Sequence, residues 1–403
     1  MSIPQKTNSL PMKIVEELTK NLDISDSMFK DAESKYLAVA KYLGESNTSL
    51  LQDAIIYPQG SINLRTVVKP IGKEEFDIDL VIHLPNVTKE QNSNDILKLI
   101  GDRLKDEKSI YKDKVTPLKR GWRINYATAF HLDITPAIGN AFVEAEEFHY
   151  TDTAELIPDK ELKLWKDSNP RGFAKWFSEI ASKVPIFVIK NIRTLDSKIL
   201  LLEEADLESY TIEEIPDNNE YKGLLRRTIQ LLKRHRDFYF NERNPFYNDF
   251  KPISIVITTL ATKSYRMIIE EEREYSCPFE MLKDIVGNMD NFIKIGNEYK
   301  IVNPTNENEN FAEKWNKDIK YVEAFVTWQK AAYDELVELQ QEIGIHKIGD
   351  VLEKSYGKDS AETTMKALAE TVNKDRERNI LTPTIITSTA TTSTVKANNF
   401  FGK

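Results

Sequence analysis

Apolar residues recur at helical spacing near the start of the chain. Residues 10–45 follow this pattern, and Asp23 and Ser25 lie where one helix can end and the next can be capped. The same periodicity returns at residues 91–106. The pattern therefore predicts helices on both sides of a segment, residues 54–84, that has a different character.

Strand-like sequence fills that segment and two later ones. β-branched and alternating residues dominate residues 54–84, where Pro70 and Gly72 mark a turn. The runs RGWRINYA and AFHLDITPAI follow at residues 120–127 and 129–138. Helices and strands thus mix within the first 140 residues, which is typical of an α+β domain.

The strand patterns fade after about residue 160. Helical periodicity then dominates, and it predicts helices at residues 172–184, 223–240, 252–272 and 311–339. The end of the chain is rich in Thr and Ser with little apolar surface to bury, which predicts a flexible tail. We therefore predict a catalytic lobe at residues 1–160, a helical lobe at 161–381 and a tail at 382–403.

Length, charge and cysteine content narrow the class of protein. The chain has 403 residues, too many for one small core, and 40% of them are hydrophobic, as in ordinary globular proteins. Its net charge of -9 argues against stable binding of long nucleic acid, which needs a broad basic surface. The lone Cys277 fits a reducing, cytoplasmic setting. The N-terminus does not read as a signal peptide, and no apolar run of about 18 residues predicts a membrane span.

Two aspartates interrupt the apolar run FDIDLVIHL. Side chains alternate across a strand, so Asp77 and Asp79 share one face with Val81 and His83, and the other five apolar residues share the opposite face. Asp133 occupies the same kind of position in FHLDITP, on a strand that could lie beside the first. An isolated pair of this kind is often only the solvated face of a sheet. Three carboxylates together suit Mg²⁺, and they could hold two such ions.

A Gly-Ser pair lies 16 residues before the first of these aspartates. Gly60 lets the backbone approach a phosphate, and exposed amides with the Ser61 hydroxyl can bind it. Gly-Ser, then D-x-D in a strand, then a later strand aspartate is a much stronger signal than any one of the three. The order of these motifs predicts a metal-dependent nucleotidyl-transfer site.

These motifs resemble the cGAS/DncV-like nucleotidyltransferases (CD-NTases) of bacterial CBASS anti-phage systems, within the polymerase-β-like superfamily. The resemblance is carried by PQGSINLRTVVKP, EFDIDLVIHL and RINYATAFHLDITPAI. It implies a mixed or antiparallel sheet and a helical C-terminal lobe that closes the nucleotide cleft. It also implies two Mg²⁺ ions, which Mn²⁺ can replace, on Asp77, Asp79 and Asp133 as catalytic metal ligands. Gly60 and Ser61 would bind the donor triphosphate.

Two residues of the helical lobe extend the resemblance. Lys233, in LLKRHRD, matches a family lysine that contacts the triphosphate, although such a basic run can also be a solvated face. Ser254 begins the helix after KPI, where it would bind phosphate or act as a plain N-cap. Arg65 stands where many relatives have glycine, and its role is open.

The implied function is the joining of ribonucleoside triphosphates, ATP among them, into a cyclic di- or trinucleotide second messenger. Family frequency favours adenine. The alternatives are an RNA- or protein-directed nucleotidyltransferase, such as a toxin or tailing enzyme, and an inactive nucleotide-binding scaffold. The tail suits docking of CBASS partners, either a conjugation apparatus or a HORMA-type activator. A transition-metal site at His83 and His131 is disfavoured beside three carboxylates.

Overall fold

The computed structural model of the chain describes residues 10–46, 48–72, 75–126, 130–141, 143–187, 211–216, 222–341 and 345–377. The predicted tail at 382–403 lies outside these residues. The α-helices are α1 (Leu10–Asn21), α2 (Asp26–Gly44), α3 (Gly60–Asn63), α4 (Ser93–Leu104), α5 (Pro170–Ser182), α6 (Leu224–Phe238), α7 (Ser254–Glu270), α8 (Pro278–Gly287), α9 (Lys320–Gln341), α10 (Ile345–Tyr356) and α11 (Lys358–Glu377).

An eight-stranded mixed sheet forms the first lobe, with the path β3-β4-β5-β2-β1-β9 and with β6 and β7 extending from β5. Short two-stranded pairs make up the remaining sheet structure that is described. The strands are β1 (Ile55–Gln59), β2 (Phe76–His83), β3 (Val115–Pro117), β4 (Trp122–Asn125), β5 (Phe130–Gly139), β6 (Glu155–Asp159), β7 (Leu164–Ser168), β8 (Ile186–Phe187), β9 (Thr211–Ile212), β10 (Glu274–Tyr275), β11 (Lys294–Ile295), β12 (Tyr299–Lys300), β13 (Val302–Asn303) and β14 (Asn306–Asn310).

The centre of the sheet follows the alternation in the sequence. β2 runs parallel to β5 and antiparallel to β1, and β4 runs antiparallel to β5. Ile78 and Leu80 are fully buried on one face, in a hydrophobic cluster with residues of α2 and α4 such as Tyr36 and Ile100. The α+β prediction with a mixed sheet is confirmed, because apolar residues at every second position pack this face beneath the helices.

A second hydrophobic cluster forms the helical lobe. It unites buried residues of α5 to α11, among them Trp176, Leu232 and Trp328. Leu18 of α1, which the sequence assigns to the catalytic lobe, also belongs to this cluster. Strand β7 of the large sheet ends at Ser168, beyond the predicted boundary at residue 160. The predicted division of the chain at residue 160 stays a prediction.

Strands occur in the second half that the sequence pattern did not reveal. The predicted helix at 311–339 begins only at Lys320, and β11 to β14 precede it. Asparagine side chains take backbone partners there: Asn310 Oδ1 accepts from the Ile301 N–H at 3.0 Å and Asn316 Oδ1 from the Tyr299 N–H at 2.8 Å. Such side-chain bonds compete with helix formation. Within the described ranges no helix is long and apolar enough to cross a membrane.

Candidate active site

Strand register brings the second and third aspartates side by side. Asp79 pairs with Asp133 across the parallel β2–β5 ladder, and Asp77 pairs with His131. Parallel neighbours at one register point their side chains to the same face of a sheet. The three predicted carboxylates therefore share one face.

Gly60 lies directly against this face. The last residue of β1, Gln59, pairs with Asp79, and the chain turns at Gly60 into the single turn of α3. Gly60 has a φ of +65°, and a Cβ there would lie 2.1 Å from Asp79 Oδ2. Only glycine satisfies both the left-handed backbone and the close approach of the carboxylate.

Arg65 also has a left-handed backbone, with a φ of +59°. It follows α3, and its N–H donates to the Ile62 carbonyl at 3.1 Å. A left-handed residue that closes a helical turn is most often glycine. The backbone at this position therefore suits glycine, which is the residue that the resemblance leads one to expect there.

We predict that Arg65→Gly changes the free energy of unfolding by less than about 1 kcal/mol, because relief of the left-handed backbone offsets the entropy that glycine loses on folding. Arg65→Val should lower it by about 1–3 kcal/mol, because a β-branched side chain is strained at this φ. Urea unfolding of both variants measures the difference. Equal destabilisation by the two substitutions would show that the arginine side chain, and not the backbone, determines this position.

Six of the seven predicted site residues line one cavity of about 360 Å³, which we call the aspartate cavity. They are Gly60, Ser61, Asp77, Asp79, Lys233 and Ser254. The Lys233 ammonium donates to the carbonyl and to Oγ1 of Thr66, at 3.1 and 2.9 Å. The lysine is therefore buried in the cavity wall, and the alternative of a solvated basic face is wrong for it.

Ser254 is the first residue of α7, and Ile253 occupies the N-cap position without a side-chain bond. The plain N-cap alternative for Ser254 is therefore wrong. Its hydroxyl accepts a hydrogen bond at 3.0 Å from Arg236, which also donates to the Pro252 carbonyl. Arg236 lines the aspartate cavity as well. It was not among the predicted site residues, because a basic residue in RHRD gives no sign of which way it points.

Burial and neighbouring like charges shift the pKa values of two residues that line the aspartate cavity. Burial, reinforced by the charges of Asp133 and Asp77, raises the pKa of Asp79 to about 7. Burial, reinforced by the charge of Arg236, lowers the pKa of Lys233 to about 7. An opposite charge placed beside either residue would favour its charged form and reduce its pKa shift.

Arg123 binds the first and third aspartates. It donates to both oxygens of Asp133, at 2.6 and 2.8 Å, and to Asp77 Oδ1 at 2.9 Å. It stands opposite Asp133 in the β4–β5 ladder, a pairing that the sequence does not specify. In this arrangement no three acidic, His or Cys side chains of the described residues converge to hold a metal ion. The carboxylate oxygens of the three aspartates still fit Mg²⁺, which prefers oxygen ligands.

A larger cavity of about 530 Å³ opens from the same point, and we call it the Asp167 cavity. It shares Gly60 and Asp79 with the aspartate cavity. Its other walls come mainly from β7, α5, the β13–β14 hairpin and the residues that flank β4 and β14. They include Arg120, Trp165, Asp167, Phe173, Glu309 and Phe311. Aromatic and polar side chains together are typical of a site for a small organic ligand.

The two histidines on these strand faces pair with acids. His83 Nδ1 lies 2.8 Å from Glu155 Oε1, and His131 Nε2 lies 2.5 Å from Glu75 Oε2. Tyr57 is fully buried, and its hydroxyl donates to Glu155 Oε2 at 2.5 Å. These residues therefore belong to the packing of the sheet and not to the cavities.

Comparisons with known proteins agree with this geometry. Residues 12–180 match the Second Messenger Oligonucleotide or Dinucleotide Synthetase (SMODS) domain family. A c-di-GMP synthase of Roseivirga ehrenbergii is 28% identical over 364 residues, which cover 89% of this chain and 88% of that protein. The chain thus carries the SMODS domain at residues 12–180 and resembles the CD-NTases over most of its length. These comparisons support the synthesis of a cyclic oligonucleotide second messenger from nucleoside triphosphates.

Solved CD-NTases share the fold over most of their length. Bradyrhizobium diazoefficiens CdnG in complex with GTP superposes with a TM-score of 0.63 at 18% identity, covering 89% of this chain and 98% of that one. The Escherichia coli CdnC:HORMA complex gives a TM-score of 0.57 at 13% identity, with coverage of 86% and 96%. The predicted polymerase-β-like fold of the chain is thereby confirmed.

Proposed function

We propose that the chain is a CD-NTase that joins nucleoside triphosphates into a cyclic oligonucleotide second messenger. Asp77, Asp79 and Asp133 are its metal ligands and hold two divalent cations, Mg²⁺ or Mn²⁺. The observation that carries the proposal is the Asp79–Asp133 register, with Gly60 packed against the Asp79 carboxylate. Such cations, when bound, neutralise a triphosphate and lower the pKa of a ribose hydroxyl. The acids fix where the attacking hydroxyl and the α-phosphorus meet.

The triphosphate would lie in the aspartate cavity. Gly60 and Ser61 border it on the sheet side, and Lys233 with Arg236 supplies positive charge from α6. Ser254 is held by Arg236, so we assign it a supporting contact to phosphate. These groups bind and orient the leaving pyrophosphate, since a fixed array of donors favours the negative charge that develops on it.

We predict that nucleotide binding raises the pKa of Lys233. The free protein has a mostly neutral Lys233 at pH 8, because its pKa is about 7. A triphosphate beside it favours the charged form, so binding at pH 8 should take up as much as about 0.9 proton. Calorimetry of a nonhydrolysable GTP analogue, in two buffers of different ionisation enthalpy, measures this uptake.

Lys233→Met should abolish the buffer dependence and weaken binding by about tenfold or more. Lys222→Met is the matched control, because Lys222 is also buried but pairs with Asp23. Its buffer dependence should equal that of the wild type. A wild type that takes up no proton would place the triphosphate away from Lys233.

We further propose that the product contains guanine, where the sequence favoured adenine. The Roseivirga relative is named a c-di-GMP synthase, which supports guanine. Asp167 supports it too: its two described hydrogen bonds, from Asn140 and Asn308, both fall on Oδ1. Its second oxygen can accept from guanine, which presents N1–H and N2–H donors. Adenine presents its N6 amino donor beside a lone pair at N1, so it cannot offer a carboxylate two adjacent donors as guanine does.

Product analysis after competition between equimolar ATP and GTP tests the choice of base. We expect guanine to predominate, and Asp167→Asn to lower the guanine preference about tenfold. Asp152→Asn removes an exposed acid outside both cavities and should leave the preference unchanged. A product that contains only adenine would overturn the guanine assignment and support the prediction from the sequence.

We place the reaction in the cytoplasm, where triphosphates are available, and assign it to anti-phage signalling. The CdnC:HORMA complex of a structural relative supports a HORMA-type activator as one partner, and a conjugation apparatus acting on the tail is the other. Deletion of residues 385–403 in a host that carries the whole operon tests the tail. Phage protection that is unchanged by the deletion would contradict a docking role.

A further inference from the structure

Arg123 stands among the carboxylates that we assign to metal binding. Its guanidinium makes three hydrogen bonds of 2.6 to 2.9 Å, two to Asp133 and one to Asp77. Asp79 lies beside Asp133 in the sheet. One permanent positive charge thus faces three acids, which repel one another without it.

The contact with Asp133 uses both of its oxygens. A bidentate arginine–carboxylate pair is strong and geometrically specific, and guanidinium does not lose its proton in proteins. A cation that binds Asp133 has to share or replace these donors, and the two positive charges repel each other. The Arg123 side chain is 27% exposed, so it has solvent into which it can move.

We propose that Arg123 is a built-in counter-cation that holds Asp77 and Asp133 together in the metal-free protein and must release at least one of them before divalent cations bind. This inference rests on the metal site of the proposed function. Arg123 thereby lowers the affinity for free cations. Arg123 is a positioning residue that acts through the two aspartates. Its removal should strengthen cation binding, whereas most substitutions near a metal site weaken it.

Calorimetric titration of the full chain with Mn²⁺, without nucleotide, tests the inference. Arg123→Gln should bind Mn²⁺ about tenfold to a hundredfold more tightly than the wild type, since charge-assisted hydrogen bonds to the ligands are lost. Its melting temperature in EDTA should fall, and added Mn²⁺ should raise it by more than in the wild type. Arg123→Lys keeps the charge but not the bidentate geometry, and its affinity should lie between the two.

Two further variants separate the outcomes. Arg273→Gln removes one positive charge far from these acids, in a cluster with Glu271 and Asp284, and should leave the Mn²⁺ affinity unchanged. If Asp79→Asn abolishes binding but neither Arg123 variant binds more tightly, the counter-cation role is overturned and the metal site stands. If Asp79→Asn leaves Mn²⁺ binding intact, the metal site itself is wrong and the inference falls with it.

Discussion

Asp79→Asn is expected to reduce cyclic product formation by about a thousandfold or more, the rate equivalent of several kcal/mol of electrostatic stabilisation. Asp79 is the central acid of the three, beside Asp133 in the sheet and in contact with Gly60. Asparagine keeps the shape but removes the negative charge that holds a cation. Radiolabelled product, quantified after phosphatase treatment, measures the loss.

The same substitution should stabilise the metal-free protein at high pH. The pKa of Asp79 is raised to about 7 by burial, so the wild type loses stability as pH rises from about 4 to about 7. The Asp79→Asn variant lacks this loss. Its free energy of unfolding should exceed that of the wild type by at most about 4 kcal/mol at pH 8, and the two values should differ little near pH 4. Urea unfolding in EDTA measures both values. An active variant with an unchanged pH profile would contradict the role assigned to Asp79.

Gly60→Ala is expected to reduce product formation by about a hundredfold and the free energy of unfolding by about 1–3 kcal/mol. The added Cβ would lie 2.1 Å from Asp79 Oδ2, so the carboxylate has to move. A displacement of about 1 Å at a reacting group can cost this much in rate. Steady-state kinetics and urea unfolding test the two effects.

Gly72→Ala is the matched control for this substitution. Gly72 has nearly the same backbone, with a φ of +60°, but a Cβ added there would meet no atom within 4 Å among the described residues beyond its chain neighbours. The substitution should cost about 1 kcal/mol of stability and leave the rate unchanged. If Gly72→Ala and Gly60→Ala impaired the rate equally, backbone strain and not the contact with Asp79 would explain the glycine.

The sequence predicted the carboxylate face because strand periodicity is local. Alternation within FDIDLVIHL was enough to place Asp77 and Asp79 together, and the same alternation placed Asp133 on a polar face. That the two strands lie side by side was a hypothesis, and the β2–β5 ladder confirms it. The order of the motifs along the chain supported this hypothesis, because periodicity alone does not specify which strands pair.

Contacts between distant segments were not predictable in the same way. Arg123 alternates on β4 as any strand residue does, and only the β4–β5 register shows that it faces Asp133. The polar segment 303–310 shows no hydrophobic periodicity, yet Asn303 and Asn306 are buried, and the Asn306 side-chain amide donates to the Ser168 carbonyl at the end of β7. Side-chain hydrogen bonds offset the free-energy cost of burying these polar groups, and the spacing of apolar residues does not predict such bonds.

Product formation by the wild type and by an Asp77→Ala/Asp79→Ala double variant tests the central claim most directly. Each protein is incubated with the four ribonucleoside triphosphates and Mg²⁺, treated with phosphatase, and analysed by mass spectrometry. We expect the wild type to yield a phosphatase-resistant cyclic product of two or three nucleotides, and the double variant to yield none. Label in long RNA or in protein, or equal cyclic product from both proteins, would contradict the account.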